Sequence, residues 1–288
     1  VHYAIPHAYA AYMAKQMLKE KGLDVRVVTT LHGTDITLVG SHPTYKSAVE
    51  FSINNSDVVT VVSNNLKETT NKLFNITKDI KVIYNFIDAK KYDNAQKEEC
   101  KRIALAQPHE RIFTHVSNFR PVKRVEDVVK IFSEVRKEIP AKLLMIGEGP
   151  ERAKAESLVK ELNIIDDVFF LGNSTEVAKI LCYTDVFLLP SQTESFGLAA
   201  LEAMAAGSAV ISTNTGGLPE VNIHGKTGFL SNLGDVADMA KNAILIAKEA
   251  ATLEVFKENA KKHTKQFTLE SILPVYEEIY RSCYKSKA

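Results

Sequence analysis

Two carboxylates stand eight residues apart in the stretch PSQTESFGLAALEAMAAG, residues 190–207. Glu194 precedes the helical pattern, and Glu202 lies inside it between Leu201 and Ala203. Two readings fit this spacing. In the first, Glu194 favours a helix N-terminus by its charge and Glu202 faces solvent. In the second, Glu202 points into a cleft and accepts hydrogen bonds from vicinal hydroxyls, such as a ribose offers. Glu194, at the mouth of the helix, then meets a sugar or its leaving oxygen. A carboxylate withdrawn from water requires partners of that kind. The helix start suits an anion, because the backbone N–H groups of Ser195, Phe196, Gly197 and Leu198 are expected as unpaired donors at its positive end. Gly197 lets a ligand come close to the backbone.

A second cluster, SNFRPVKR at 117–124, gathers Arg120, Lys123 and Arg124 behind an apolar run. A pyrophosphate presents several oxygens, and Arg and Lys supply donors and charge to meet them. The alternative is a solvated basic turn that caps the next helix and pairs with Glu126 and Asp127. Other matches carry less. GKTG at 225–228 lacks the earlier Gly of a phosphate-binding loop, since Glu220 stands there, and reads as a turn. GEGPER has Arg152 where a dinucleotide fingerprint wants Gly, so Gly147 and Gly149 read as a tight strand-to-helix turn. The histidines show no metal-ligand spacing, and Cys100, Cys182 and Cys283 form no C-x-x-C. No structural metal is expected, and the thiols are expected to be reduced.

These residues need elements to hold them. A chain of 288 residues suffices for two domains, and 45% hydrophobic with 25% charged residues is the balance of a globular protein. A net charge of +1 and the absence of Trp give no case for nucleic acid. No apolar run reaches the ~18 residues of a membrane span. Short apolar runs such as VVTTL, VVTVV, IFTHV, LLMI, VFFL, VFLL and AVIS alternate with helical stretches. That alternation predicts a doubly wound α/β fold, with parallel sheets covered on both faces. A polar stretch at 88–102 divides it into a first part with three strands and a second with about six. Three strands are thin for an independent sheet. The chain also opens on Val1 and runs straight into a helix from Pro6. It is therefore expected to be a piece of a longer protein, cut inside a fold. Ligands bind such sheets beyond the carboxyl ends of the strands, which brings His32, Ser117 to Arg124, Gly147, Asn173 and Thr193 to Gly197 forward as candidates.

The pair E-x7-E, realised as Glu194 and Glu202 and followed by TNTGGLPEV, resembles the signature of the large family 4 of retaining glycosyltransferases with the GT-B fold. GEGPER, FLGN and LHGTD stand in the expected order, and the resemblance covers essentially the whole chain. It implies two Rossmann-like domains facing across a cleft, the N-terminal one incomplete here. Residues 1–90 would be the C-terminal portion of the acceptor-side domain and 91–265 the nucleotide-sugar-binding domain. Residues 266–288 would be a C-terminal helix returning toward the first domain. The resemblance makes Glu202 the ribose ligand and Glu194 the carboxylate beside the donor hexose. Lys123 and a nearby Arg take the diphosphate, and His32 contacts the transferred sugar. Asn118, Gly147, Asn173, Ser195, Phe196, Gly197 and Leu198 complete the implied donor site. The common pattern has Arg where Asn118 stands, so Arg120 is expected to supply the missing charge.

HYAIPHA, LHGTDITLVG and NFRPVKR narrow the resemblance to members serving bacillithiol biosynthesis. These move N-acetylglucosamine from UDP to the hydroxyl of L-malate. The implied partners are UDP-N-acetylglucosamine and a small hydroxy acid, with Tyr3, Thr34 and Arg120 as candidates for the acceptor. A lipid or polysaccharide acceptor is the alternative within the family, and a nucleotide-sugar-binding fragment without turnover is the alternative outside it. The chain has no D-x-D, the motif with which many glycosyltransferases hold a divalent ion. No metal and no other cofactor is therefore expected, the UDP-sugar being a co-substrate. A cytoplasmic location, association between copies, and severely reduced transfer by these residues alone complete the expectations.

Overall fold

The computed structural model describes residues 1–92, 102 and 105–285. Cys100 and most of the polar stretch between the two parts lie outside the described residues. Contacts divide the chain into two compact units, Val1–Phe86 with Leu269–Ala288, and Ile87–Thr268.

The first unit has a parallel sheet in the order β1-β2-β3, formed by β1 (Val28–Leu31), β2 (Val58–Val61) and β3 (Ile80–Val82). Its helices are α1 (Tyr9–Glu20), α2 (Pro43–Asn54) and α3 (Asn64–Leu73). The caps follow the sequence: Pro43 opens α2, and the Ser63 hydroxyl accepts from the Leu66 N–H at 3.1 Å to start α3. Regular helix begins at Tyr9 rather than at Pro6, because Ile5 is extended and the Ala4 N–H is drawn to Asp35. The apolar stripe of α1 is exposed at Tyr9, Met13 and Met17. The C-terminal helix Leu269–Lys285 packs in this unit, with Ile272 and Ile279 against Ile83, Val28 and Val58.

The second unit is a six-stranded parallel sheet in the order β6-β5-β4-β7-β8-β9. The strands are β4 (Arg111–Val116), β5 (Ala141–Ile146), β6 (Val168–Gly172), β7 (Val186–Leu189), β8 (Ala209–Thr213) and β9 (Gly228–Ser231). The helices are α4 (Val125–Glu138), α5 (Arg152–Glu161), α6 (Val177–Leu181), α7 (Leu198–Ala205), α8 (Leu218–Val221), α9 (Val236–Ala247) and α10 (Ala250–His263). Every residue of β7 and β8 is buried, as strands covered on both faces require, including Ser212 and Thr213 at the end of β8. On α4, Val128, Val129, Phe132 and Val135 form one face that joins Phe113, Leu143 and Val186 of the sheet in a single core. Each such side chain contributes about 1.5–3 kcal/mol by leaving water. Glu126 and Asp127 in the first turn of α4, and Arg136 and Lys137 in its last, match the helix dipole. Among the described residues no helix is long and apolar enough to cross a membrane.

Candidate active site

In the second unit the chain order reverses between β4 and β7. Strands β5 and β6 lie to one side of this point, and β8 and β9 to the other. The loops after β4 and β7 therefore leave in opposite directions and open a crevice at their carboxyl ends. Lys123 comes from one of these loops and Glu194 from the other. Lys123 Nζ donates to Glu194 Oε1 at 2.5 Å, with the side chains only 21% and 15% exposed. The loops are also tied through the main chain, where the Gln192 N–H donates to the Val122 carbonyl at 2.8 Å. The basic cluster thus divides. Lys123 faces the crevice carboxylate, Arg124 turns back to Asp127 at 2.5 Å as a helix cap would, and Arg120 stays exposed.

Gly147 and Gly216 set how closely these loops stack. A Cβ on Gly147, whose φ is 120°, would stand 1.8 Å from the Ser117 carbonyl oxygen. Its N–H donates to the Gly172 carbonyl at 2.8 Å, so the loops after β4, β5 and β6 lie main chain against main chain. Close approach is thus needed at Gly147 beyond the tight turn expected from sequence. A Cβ on Gly216, with φ 58°, would stand 2.0 Å from the Glu194 carbonyl oxygen, which also accepts from the Gly217 N–H at 2.8 Å. The loop after β8 in this way holds the backbone of Glu194. Asn118 and Asn173 are exposed at their loops. Arg152, standing where a fingerprint Gly was sought, pairs with Glu148 and Glu156 and covers the Phe170 ring.

Helix α7 starts from Gly197, whose φ is 98°, with Leu198 exposed in its first turn. The buried Phe196 sets its ring edge-on to Phe267 at 5.7 Å, and Ser195 also has interaction partners. The solvent-facing reading of Glu202 fails. Its side chain is half-buried and accepts a hydrogen bond from the Tyr92 hydroxyl. Burial pushes the Glu202 carboxyl above its ordinary value, while Tyr92 and Lys91 pull the other way. Burial and then the Glu202 charge push the Tyr92 phenol up. Sequence reading passed over Tyr92 by treating its segment as a polar divider. The signal was present, as Tyr92 is the only aromatic in DAKKYDNAQKEECKR.

His115 was also passed over, since it was weighed only as a metal ligand. It is fully buried in β4. Nδ1–H donates to the Leu188 carbonyl at 2.8 Å, and Nε2 accepts from the Ser117 hydroxyl at 2.8 Å. Ser117 Oγ in turn accepts from the Phe119 N–H at 3.2 Å, which shapes the start of the loop carrying Lys123. Burial pushes the imidazole down to about 4 from an ordinary 6.5, so it is neutral in the folded protein. An unfolded chain protonates it below that ordinary value. Its contribution to stability is present above pH 6.5 and is lost as the pH falls toward 4. Between pH 7.5 and 5 the loss comes to about 2 kcal/mol. Urea unfolding of the protein and of His115→Gln at both pH values should show the stability gap between them narrowing by about that amount at pH 5. A gap independent of pH would count against a neutral His115.

The first unit has its own polar cluster at the carboxyl end of β1. The buried Asp35 carboxylate accepts from the backbone N–H groups of Ala4 at 2.8 Å, Gly33 at 2.9 Å and His32 at 3.2 Å. Asp35, the acid of LHGTD, staples the N-terminal segment to the loop carrying His32. Sequence reading assigned it no role. His32 Nε2 lies 2.8 Å from His2 Nδ1, and the Tyr3 ring is 5.1 Å from that of His32. Burial first, and His2 next, lower the pKa of His32, with Asp35 opposing. Tyr3 and His32 are thus brought together, with Thr34 exposed in the same loop.

The family model described as glycosyl transferases group 1 matches residues 96–263, and the Glycosyltransferase Family 4 model matches residues 1–91. N-acetyl-alpha-D-glucosaminyl L-malate synthase of Bacillus anthracis is 46% identical over 97% of this chain and 73% of its own length. Among solved structures, sucrose-phosphate synthase from Thermosynechococcus elongatus matches with a TM-score of 0.82 at 22% identity, over 99% of this chain and 73% of that one. HepE from Anabaena in complex with UDP matches with a TM-score of 0.82 at 19% identity, over 96% of this chain and 76% of that one. At such identities the structures speak to the fold, which is GT-B. The model match over more than half of the residues and the relative at 46% identity speak to descent, and by both the chain belongs to the glycosyl transferases of group 1.

Proposed function

We propose that this glycosyltransferase moves N-acetylglucosamine from UDP-N-acetylglucosamine to the hydroxyl of L-malate with retention at the anomeric carbon, a step of bacillithiol biosynthesis. The observation that carries the reading is the Lys123–Glu194 pair at the strand-order reversal, with Glu202 half-buried in α7. The acceptor and sugar rest on the Bacillus anthracis relative, which is named for both. The donor nucleotide draws support from the HepE complex with UDP.

In this reading Glu202 binds the ribose, and Lys123 with the exposed Arg120 takes the diphosphate. The N–H groups at the start of α7 add donors, and Asn118, Gly147 and Asn173 border the nucleotide. Glu194 stands beside the hexose, and His32 contacts it. The acceptor oxygen forms a bond to the anomeric carbon on the face that UDP leaves. The carbon–oxygen bond to UDP breaks, and the acceptor proton passes to a β-phosphate oxygen. The protein supplies orientation and stabilises the departing charge. Tyr3, Thr34 and Arg120 are the candidates for the malate carboxylates. With cationic side chains on the diphosphate and no D-x-D in the chain, transfer is proposed to need no divalent ion.

The test is transfer of labelled N-acetylglucosamine by the protein to L-malate, compared with lipid and polysaccharide acceptors, in excess chelator. Product with malate alone, at a rate unchanged by chelator, is the expected result. Product only with a lipid or polysaccharide would replace the acceptor. UDP binding without transfer to any acceptor would favour a binding module. A rate lost in chelator and restored by magnesium or manganese would sink the metal-free proposal.

A further inference from the structure

We propose that Tyr92 is a positioning residue of the donor site, holding one oxygen of the Glu202 carboxylate so that the remaining acceptor positions meet the ribose diol. The inference rests on the assignment of Glu202 to the ribose. Tyr92 lies far upstream of α7, yet its segment is fixed to the same platform. The Ile87 N–H donates to the Phe267 carbonyl at 2.9 Å, and Ile87 pairs with Thr268 in an isolated bridge. Phe267 lies edge-on to Phe196, which immediately precedes Gly197 and α7. Asp88 then turns the segment inward. Its carboxylate accepts from the Lys90 N–H at 3.1 Å, and its carbonyl from the Lys91 N–H at 3.1 Å.

Tyr92 arrives only 4% exposed, the one aromatic in a largely polar stretch. A buried phenol needs a partner for its hydroxyl, and that partner is Glu202. Helix α7 reads LAALEAMA, so it has no second polar side chain of its own to orient the carboxylate. A carboxylate has about four acceptor positions over its two oxygens. One goes to Tyr92, and the rest suffice for two vicinal hydroxyls. A hydroxyl missing from the ribose leaves this prepared acceptor unmatched, so Tyr92 bears on the choice of ribose over deoxyribose.

Calorimetric binding of UDP and 2′-deoxyuridine diphosphate to the protein, Tyr92→Phe, Glu202→Gln and the double variant tests this. Tyr92→Phe should weaken UDP about tenfold and the deoxy nucleotide much less, narrowing the preference between them. The double variant should match Glu202→Gln alone. Phe keeps the buried ring, so a residue that only packs would leave both affinities unchanged, which would overturn the inference. Equal weakening of the two nucleotides would also overturn it. A loss in Glu202→Gln without one in Tyr92→Phe would remove Tyr92 alone. UDP affinity unchanged in Glu202→Gln would overturn the ribose assignment and the inference with it.

Discussion

Lys123→Met is expected to weaken UDP binding about tenfold to a hundredfold while leaving uridine nearly unchanged. The ammonium group is held at the strand-order reversal by Glu194, 2.5 Å away, and both side chains are largely withdrawn from solvent. A hydrogen bond from such a cation to a phosphate oxygen contributes about 1.5–3 kcal/mol, and uridine has no diphosphate to receive it. Removing the cation also leaves the Glu194 carboxylate without its partner and facing a like charge. The effect on turnover is expected to be larger than on binding. Negative charge builds on the leaving diphosphate as its bond to the sugar breaks, and a preorganised donor there is worth about 10²–10³ in rate. The measurement is UDP and uridine affinity by calorimetry, with turnover beside it. Equal losses for the two ligands would place Lys123 away from the diphosphate and remove it from the proposed site.

Gly216→Ala is expected to lower both stability and UDP affinity, whereas Gly225→Ala lowers stability slightly and leaves affinity unchanged. Both glycines are left-handed, with φ 58° and 72°. Any L residue there costs roughly 1–2 kcal/mol. Their surroundings differ. A Cβ on Gly216 would stand 2.0 Å from the Glu194 carbonyl oxygen, a main-chain atom that no rotamer can move, while a Cβ on Gly225 would meet nothing within 4 Å. Overpacking against backbone adds about 1–3 kcal/mol. Each kcal/mol lowers Tm by about 2–4 °C in a domain of this size. Thermal unfolding should therefore show Gly216→Ala about 4–20 °C below the parent and Gly225→Ala about 2–8 °C below it. Because relief comes by shifting the Glu194 loop, UDP affinity should fall only in Gly216→Ala. Identical behaviour of the two variants would show that the Glu194 loop yields freely and that Gly216 does not set its place.

The sequence alone was enough for the architecture of the second unit and for the family. VFLL is apolar at every position and AVIS at all but its last, and a strand can bury both faces only in a sheet covered on both sides, so the parallel α/β fold was legible there. The E-x7-E pair and Lys123 were legible too, because their spacing is local. Tertiary structure decided the partners. In SNFRPVKR nothing tells Arg124, which returns to Asp127, from Lys123, which crosses to Glu194. That difference arises because β4 and β7 are neighbours in the sheet, a fact of strand order that no local pattern encodes. Glu202 left two readings open for the same reason, since Tyr92 reaches it from a distant segment. His115, Asp35 and the close contact at Gly147 were hidden likewise. Periodicity reports which face of an element leaves water, while the atoms that a buried polar group or a glycine meets there belong to other elements, brought near only when the chain is packed.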